Sequence, residues 1–284
     1  MRILVIGGTG KVGSALVGVL AEKDVDVRVM TRSPEAGKAA AGVELVAGDM
    51  TRPETLRAAF DGVDRCYLLT PLAQDEVEQG LNAVEAAREA GLERLVFQSV
   101  LRADEAPGIP HFASKVRILD RIRESGLPWA AVFPSSFYQN DLALRDLILG
   151  PGVYPNPLGS QGVSRVDVRD IADVAATALL DDGYESREVP VVGPDTWTGE
   201  SIAGVYSEVL GREVRYTGDD LEAWAAGASD FLPEWLVHDL ALMFEHFQRE
   251  SLLATDQQMD ESRAAMEHEP RPFIDFAREL VAGT

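Results

Sequence analysis

A glycine-rich turn near the start of the chain constrains its fold more than any other feature. The apolar run Ile3–Ile6 is typical of a strand buried on both faces, and the apolar residues from Val12 to Leu20 have the spacing of one helix face. The glycines at this junction fit both G-x-G-x-x-G and G-x-x-G-x-x-G, and they are Gly7, Gly8, Gly10 and Gly13. Such glycines permit a tight turn, close helix–strand packing and the approach of a pyrophosphate to the helix N-terminus. The sequence therefore predicts a dinucleotide site; the alternative is a glycine-rich turn without a ligand.

The end of the second predicted strand, Asp26–Thr31, indicates which dinucleotide binds. NAD sites usually carry Asp or Glu about 20 residues after the glycines, where it accepts hydrogen bonds from the ribose. Here Arg32 lies 19 residues after Gly13, and residues 30–33 contain no acidic side chain. A guanidinium pairs with a 2′-phosphate through two hydrogen bonds. The pattern favours NADP(H), the alternative being a solvated surface arginine.

Strand and helix patterns alternate along the chain, which predicts an α/β fold with a doubly wound parallel sheet of the Rossmann type. We expect residues 1–195 to form the NAD(P)-binding domain, with an excursion of residues 135–162 toward the substrate. Residues 196–284 have mainly helical patterns and are expected to form a smaller substrate lobe. The apolar residues between 232 and 247 have helical spacing, which fits either ordinary core or an apolar substrate pocket.

Polar residues follow two predicted strands at the edge where ligands of such sheets bind. Thr70 and Pro71 follow Tyr67–Leu69, and Ser99 closely follows Leu95–Phe97. Ligands lie beyond the carboxyl ends of the strands, so Thr70 and Ser99 are candidates for chemistry.

The predicted helix from residue 111 to 125 carries His111 and Lys115 four residues apart, hence on one face. Lys115 is a candidate proton donor or ribose ligand, because a lysine is ordinarily protonated at neutral pH. His111 is a candidate proton relay. The alternative for His111 is a simple helix-start residue after Pro110.

The motifs together resemble the NmrA-like atypical short-chain dehydrogenase/reductase family. The resemblance spans roughly the whole chain and is dense up to about residue 180. It rests on Gly-Gly-Thr-Gly-Lys-Val-Gly at 7–13, Thr31–Pro34, Gly48-Asp49, Phe97–Ser99, His111-x-x-x-Lys115 and Pro134–Asn140. The family includes NADPH-dependent quinone, azo-dye and triphenylmethane reductases, isoflavone-reductase-like enzymes, and sensors that bind the nucleotide without known turnover.

The resemblance also implies roles for particular residues. Asp49 and Met50 would lie beside the adenine, although Asp49 is equally suited to a turn before the next helix. The expected cofactor contacts are Gly7, Thr9, Gly10, Lys11, Val12, Gly13, Arg32, Asp49, Met50, Thr70, Pro71, Lys115, Pro134 and Phe137.

The catalytic set departs from the standard short-chain dehydrogenase pattern. That pattern is Tyr-x-x-x-Lys, whereas this chain has His111 where the proton-donating Tyr would stand, which puts ordinary carbonyl reduction in doubt. The resemblance implies that the segment 135–140 lines the nicotinamide. Its Tyr138 is a candidate substitute for the missing phenol, or else a packing residue. The candidate catalytic residues are Lys115, Ser99, Tyr138 and His111.

Composition limits the partners. The chain has 284 residues and a formal net charge of −21, which argues against nucleic acid and anionic membranes, since both are polyanions. We find no run of about 18 apolar residues, no metal signature and no secretory leader, so we expect a cytoplasmic monomer or homodimer without a metal. The single cysteine, Cys66, excludes an internal disulfide and lies in a strand pattern.

These observations lead to two hypotheses about function. The first is an NADPH-dependent reductase that transfers hydride to an apolar aromatic or conjugated acceptor, such as a quinone, an enone or a related carbonyl compound. The second is an NADP(H)-binding redox sensor that acts through a protein partner without turnover.

Overall fold

The computed structural model describes residues 1–36 and 42–283, and the bounds below refer to these residues. The strands in chain order are β1 (Arg2–Ile6), β2 (Asp26–Thr31), β3 (Val43–Ala47), β4 (Arg65–Leu68), β5 (Arg94–Gln98), β6 (Trp129–Pro134), β7 (Ser136–Phe137), β8 (Val153–Tyr154), β9 (Val163–Val166), β10 (Glu188–Val191), β11 (Thr196–Trp197) and β12 (Arg215–Tyr216).

The α-helices of the described residues alternate with the strands at first and then dominate. They are α1 (Lys11–Ala21), α2 (Leu56–Phe60), α3 (Glu76–Ala90), α4 (Pro110–Glu124), α5 (Arg145–Leu149), α6 (Val168–Leu180), α7 (Gly199–Leu210), α8 (Leu221–Ala228), α9 (Glu234–Glu250), α10 (Asp256–Met266) and α11 (Phe273–Ala282).

The central sheet has seven parallel strands in the order β10-β6-β5-β4-β1-β2-β3. Because side chains alternate along a strand, Ile3 and Val5 face one side of the sheet. There they pack with α1 and α6 in an apolar cluster that we call the first core. Leu4 and Ile6 face the other side, where they pack with α2, α3 and α4 in a cluster that we call the third core. Both faces are covered, which confirms the predicted Rossmann-type architecture and explains why β1 is wholly apolar.

A separate apolar cluster, the second core, lies between the edge of the sheet and the helices after residue 195. It combines Phe244 and Phe273 from the C-terminal part with Ile109 and Ile148 from the stretch that follows β5. Helix α10, in contrast, contributes Met266 to the first core beside the sheet. The division at residue 195 therefore stays a prediction, since the packing on each side of it is shared.

The stretch 150–162, which lies within the predicted excursion of residues 135–162, contains the short strand β8. Its residues Val153 and Tyr154 pair in parallel with Arg215 and Tyr216 of β12. A two-residue strand with so distant a partner leaves no periodic pattern in the sequence.

A buried carboxylate ties the stretch after β7 to the C-terminal part. Asp141 is fully buried and accepts hydrogen bonds from Arg165 at 2.9 Å and from the hydroxyls of Tyr206 at 2.9 Å and Tyr154 at 3.3 Å. A buried ion pair is tolerable only with such additional partners, and this one fixes β9 and α7 around the segment. Across the described residues, no helix combines the length and apolarity needed to span a membrane.

Candidate functional site

The glycine turn lies at the carboxyl end of β1, and three of its four glycines differ in why the structure requires a glycine there. Gly7 has φ +84°, a left-handed conformation that favours glycine. A Cβ at Gly13 would lie 2.1 Å from the Gly7 carbonyl oxygen, so α1 approaches the turn too closely for any side chain. At Gly10 the nearest atom to an added Cβ is 3.3 Å away. The chain's own packing thus demands glycine strongly at Gly7 and Gly13 and only weakly at Gly10.

The N-terminus of α1 is suited to an anion. Its first turn contains no acidic residue, and its N-cap residue Gly10 offers no side-chain acceptor, so the positive end of the helix has no side-chain partner. The Lys11 ammonium donates to the Gln139 carbonyl at 2.7 Å, and burial lowers the pKa of Lys11. The Lys11 side chain is therefore held by the protein, while Val12 packs into the first core and Thr9 is exposed.

The ends of β2 and β3 form the expected adenosine side. Arg32 follows β2 and is exposed. Asp49 accepts hydrogen bonds from the Thr51 amide at 3.0 Å and from its hydroxyl at 2.8 Å, and the amide bond is the largest cause of a lowered Asp49 pKa. The Arg32 charge is a smaller cause of the same shift. Asp49 thus forms a turn, one of its two predicted roles, and its contact with adenine stays a prediction, as does that of the buried Met50.

A buried polar triad lies where β4, α3 and α4 meet. The Lys115 ammonium donates to the Thr70 hydroxyl at 2.6 Å and lies 2.7 Å from Glu76 Oε1. The Thr70 hydroxyl donates to the same Glu76 oxygen at 2.6 Å. All three residues are at least nine-tenths buried, so the ammonium and the carboxylate compensate each other's charge away from water. The structure therefore brings Thr70 and Lys115 together, as both were expected to lie in the site.

Three buried polar atoms near these strand ends have no hydrogen-bond partner among the described residues. They are Glu76 Oε2, Ser99 Oγ after β5, and Ser135 Oγ after β6. An unsatisfied buried polar atom costs about 1–3 kcal/mol, so a polar ligand that bonded these three atoms would remove that cost. Pro134 ends β6 and is buried, and Pro71 is exposed after β4.

His111, in the first turn of α4, lies between the sheet and the C-terminal helices. Its Nδ1 pairs with Asp239 Oδ1 of α9, and the side chains are 12% and 5% exposed. The Phe112 ring packs edge-on against the imidazole, with ring centroids 4.7 Å apart. Since α4 begins at the carboxyl edge of the sheet, this pair lies on the side where ligands bind.

Tyr138 does not behave as an exposed phenol of the cleft. It is fully buried in the second core against Phe273 and Phe276, and its hydroxyl donates to the Arg271 carbonyl at 3.3 Å. Burial raises the pKa of Tyr138 well above its usual value. The structure thus corrects the expectation of a substitute proton donor in favour of the packing role. Phe137 is half-buried in β7 against the first core.

Sequence reasoning missed two residues of this region, Glu76 and Asp239. Glu76 reads as an ordinary acidic residue in a first helical turn, so the sequence carried no signal for it. Asp239 did leave a signal, because it interrupts the apolar face of α9 three residues after Leu236 and four before Met243.

Asp170, Asp173 and His268 place possible metal-ligand atoms within 4.8 Å of one another. Arg271 already supplies a cation there, because its guanidinium pairs with Asp170 and lies 2.8 Å from Asp173. The fully buried thiol of Cys66 has a pKa raised by burial, consistent with the predicted strand position.

The seven-stranded parallel sheet and the glycine turn before α1 define a dinucleotide-binding protein of the Rossmann type. The chain belongs to the NmrA-like family, which it matches over residues 1–277, and this confirms the resemblance drawn from its motifs.

Two relatives are similar over most of their length. The chain is 38% identical over 226 residues to an NAD(P)H azoreductase of Xenophilus azovorans, which is 78% of each protein. It is 35% identical over 216 residues to a (4-alkanoyl-5-oxo-2,5-dihydrofuran-3-yl)methyl phosphate reductase of Streptomyces griseus subsp. griseus, or 75% of this chain and 76% of that protein. An NADPH-dependent quinone oxidoreductase of Escherichia coli, solved with NADPH, shares the fold with a TM-score of 0.88 at 21% identity, covering 98% of this chain and 99% of the other.

Proposed function

We propose that the chain is an NADPH-dependent reductase whose acceptor is an apolar aromatic or conjugated small molecule. The observation that carries the proposal is the buried Thr70–Glu76–Lys115 triad, with unpartnered polar atoms beside it, at the same sheet edge as the glycine turn. Two relatives that are 38% and 35% identical over the aligned residues are named as reductases, one of them NAD(P)H-dependent, which agrees with the predicted enzyme class and cofactor.

The residues present fit NADP(H). The α1 N-terminus and Gly10 would hold the pyrophosphate, because amide donors converge there without a side-chain competitor. Arg32 would pair with the 2′-phosphate. Lys115, Thr70 and Ser99 would hold the nicotinamide ribose and carboxamide, which offer partners for the unsatisfied Ser99 hydroxyl and Glu76 oxygen. When bound, the reduced nicotinamide supplies a hydride.

The protein's own contribution is positioning, exclusion of water and proton supply. Lys115 is held in one rotamer by two partners, so it presents a fixed positive charge at the strand ends. Such a charge stabilises negative charge that develops on the acceptor during reduction, most strongly away from water. Glu76 compensates that charge when no substrate is present.

Two observations support the acceptor class that we propose: the names of the relatives and the half-buried apolar face of α9. One relative is named as an azoreductase and the other as the reductase of a (4-alkanoyl-5-oxo-2,5-dihydrofuran-3-yl)methyl phosphate. An azo group is a nitrogen–nitrogen double bond, and the named dihydrofuranone carries a carbon–carbon double bond conjugated with a carbonyl group. Leu236, Leu240 and Met243 of α9 are partly exposed and can contact a flat apolar ligand. Our proposal further places the protein in the cytoplasm, as a monomer or homodimer, with no nucleic-acid partner.

The test is the oxidation of NADPH, followed by loss of the absorbance of the reduced nicotinamide, with a panel of quinones, azo dyes and enones. We expect turnover with at least one class and faster turnover with NADPH than with NADH. The sensor hypothesis expects tight NADPH binding by calorimetry and no oxidation by any member of the panel. That outcome would overturn the reductase proposal.

A further inference from the structure

We propose that Asp239 of α9 positions His111 of α4 to deliver the proton that the acceptor takes up. The inference deepens the proposed reductase function and rests on it. His111 becomes the proton donor, and Asp239 a positioning residue that acts through it.

The position of His111 on α4 places it close to Lys115. It lies one helical turn before Lys115 on the same face of α4, so the two side chains point toward neighbouring parts of one site. Lys115 reaches the end of β4 through Thr70. His111 lies nearer the start of α4, at the carboxyl edge of the sheet, and it contacts the C-terminal helices through α9. His111 therefore lies between the carboxyl edge of the sheet and helix α9.

The burial of the Asp239 carboxylate costs folding free energy, and this supports a functional role. Asp239 is 4% exposed on a helix face that is otherwise apolar, and among the described residues it pairs with His111. An unpaired buried carboxylate is costly, so Asp239 depends on the imidazole for compensation. An apolar residue would complete the helix face at lower cost, which indicates a role other than stability.

Asp239 also determines how the His111 ring is oriented and which of its nitrogen atoms faces away from the carboxylate. With Asp239 Oδ1 at Nδ1, the carboxylate accepts the Nδ1 proton, which fixes the orientation of the ring. Nε2 is then the second donor, and no partner for it is recorded among the described residues. The same arrangement leaves a neutral ring with its proton on Nδ1 once Nε2 has given its proton away.

The acceptor gains a hydride at one atom of its conjugated system, and NADPH is oxidised to NADP⁺. The oxygen or nitrogen that becomes electron-rich takes the proton from His111 Nε2, whose N–H bond breaks. Solvent then reprotonates Nε2, so that each two-electron reduction consumes one NADPH and one proton.

The experiment compares the parent with His111→Gln, Asp239→Asn and the double variant. We expect unchanged NADPH affinity in all of them, because neither residue adjoins the glycine turn. We expect kcat to fall by about 10²-fold in His111→Gln and by at least about tenfold in Asp239→Asn, since general acids contribute about 10²–10⁴-fold. The double variant should be no slower than His111→Gln, because the pair acts as one unit.

Two further readouts separate positioning from a structural role. The loss should be larger with an enone, whose product anion needs a proton, than with a quinone, whose hydroquinone anion is stable. In the protein without cofactor, a low-field Nδ1 proton resonance of His111 should disappear in Asp239→Asn. His268→Gln, which removes the more exposed pair between His268 and Asp173, is the matched control and should change neither readout.

Asp239→Leu protects the test against a folding failure, because leucine continues the apolar face of α9. It should fold and still lose kcat. Parent-like kcat in both Asp239→Asn and Asp239→Leu would overturn the inference and leave the reductase proposal intact. If none of the tested acceptors supported NADPH oxidation by the parent, the reductase proposal and this inference would both be overturned. The two failures are therefore distinguishable.

Discussion

Lys115 Nζ lies 2.6 Å from Thr70 Oγ1, although 45 residues separate them in the chain. The contact joins the middle of α4 to the end of β4, and Glu76 completes it from the first turn of α3. Because all three side chains are buried, the triad acts both as a part of the fold and as a candidate part of the site. Any substitution of Lys115 must therefore be judged together with the Glu76 carboxylate that it compensates.

The first prediction concerns the choice of nucleotide. Arg32→Ala should weaken NADPH binding by roughly ten- to hundredfold and leave NADH binding nearly unchanged, because a charge-assisted pair contributes about 1.5–3 kcal/mol. Calorimetric titration of both nucleotides measures this directly. Arg278→Ala removes another exposed arginine, on α11, and is the control. Equal affinities of the parent for NADPH and NADH would remove the assignment of Arg32 to the 2′-phosphate.

The second prediction contrasts two glycines of the same turn. Gly10→Val should fold, because only weak crowding meets its Cβ, and should lose most NADPH affinity by blocking the approach of the pyrophosphate. Gly13→Ala should instead lower the melting temperature, because its Cβ would lie 2.1 Å from the Gly7 carbonyl. Thermal unfolding with and without NADPH separates the two effects. A Gly10→Val protein that NADPH stabilises as well as the parent would mean that the pyrophosphate binds elsewhere.

The sequence predicted the parts of this molecule that depend on local patterns. Local patterns located β1, β2, β4 and β5 of the main sheet, and the glycine spacing located the turn after β1, because periodicity and φ > 0 are properties of neighbouring residues. Strand ends also located Thr70 and Ser99, since the carboxyl edge of a parallel sheet is fixed by topology.

What the sequence did not predict depends on contacts between distant residues. Glu76 meets Lys115 only because α3 and α4 pack side by side, and Asp239 meets His111 across 128 residues. Tyr138 was assigned two roles because a phenol after a strand fits both a cleft and a core. Tyr138 packs against Phe276 of α11, so it belongs to the core.

The third prediction concerns pH and stability. The Nδ1 of His268 bonds the Glu269 carbonyl at 2.8 Å, the largest cause of a raised His268 pKa, and Nε2 bonds Asp173 at 3.0 Å. A histidine whose pKa is higher in the folded state stabilises the fold fully at pH values below its unfolded-state pKa of about 6.5. This stabilisation is lost as the pH rises through the folded-state pKa. His268→Gln should therefore be less stable than the parent near pH 5.5, by a difference that shrinks by about pH 8.5. Urea unfolding across this range measures it, and a difference independent of pH would contradict it.

The fourth prediction concerns Lys115, and it begins with stability. Lys115→Met should destabilise the fold by about 3–5 kcal/mol, because it leaves the buried Glu76 carboxylate without its cation. Adding Glu76→Gln removes that charge, so the double variant should recover much of the lost stability in urea unfolding. The recovered variant then permits a kinetic test that the single one does not.

In the double variant Lys115→Met/Glu76→Gln, NADPH oxidation should slow by about 10²-fold or more at saturating NADPH, since a buried positive charge at the reacting edge has been removed. Glu76→Gln alone keeps the ammonium and should retain far more activity, which makes it the matched control. Arg32→Ala, in contrast, should recover near-parent kcat once NADPH is saturating, because it affects binding alone. Lys115 would leave the mechanism if the stabilised double variant reduced enones and quinones at the parent's rate. A selective loss with enones and ketones would identify its charge as the element that handles the product anion.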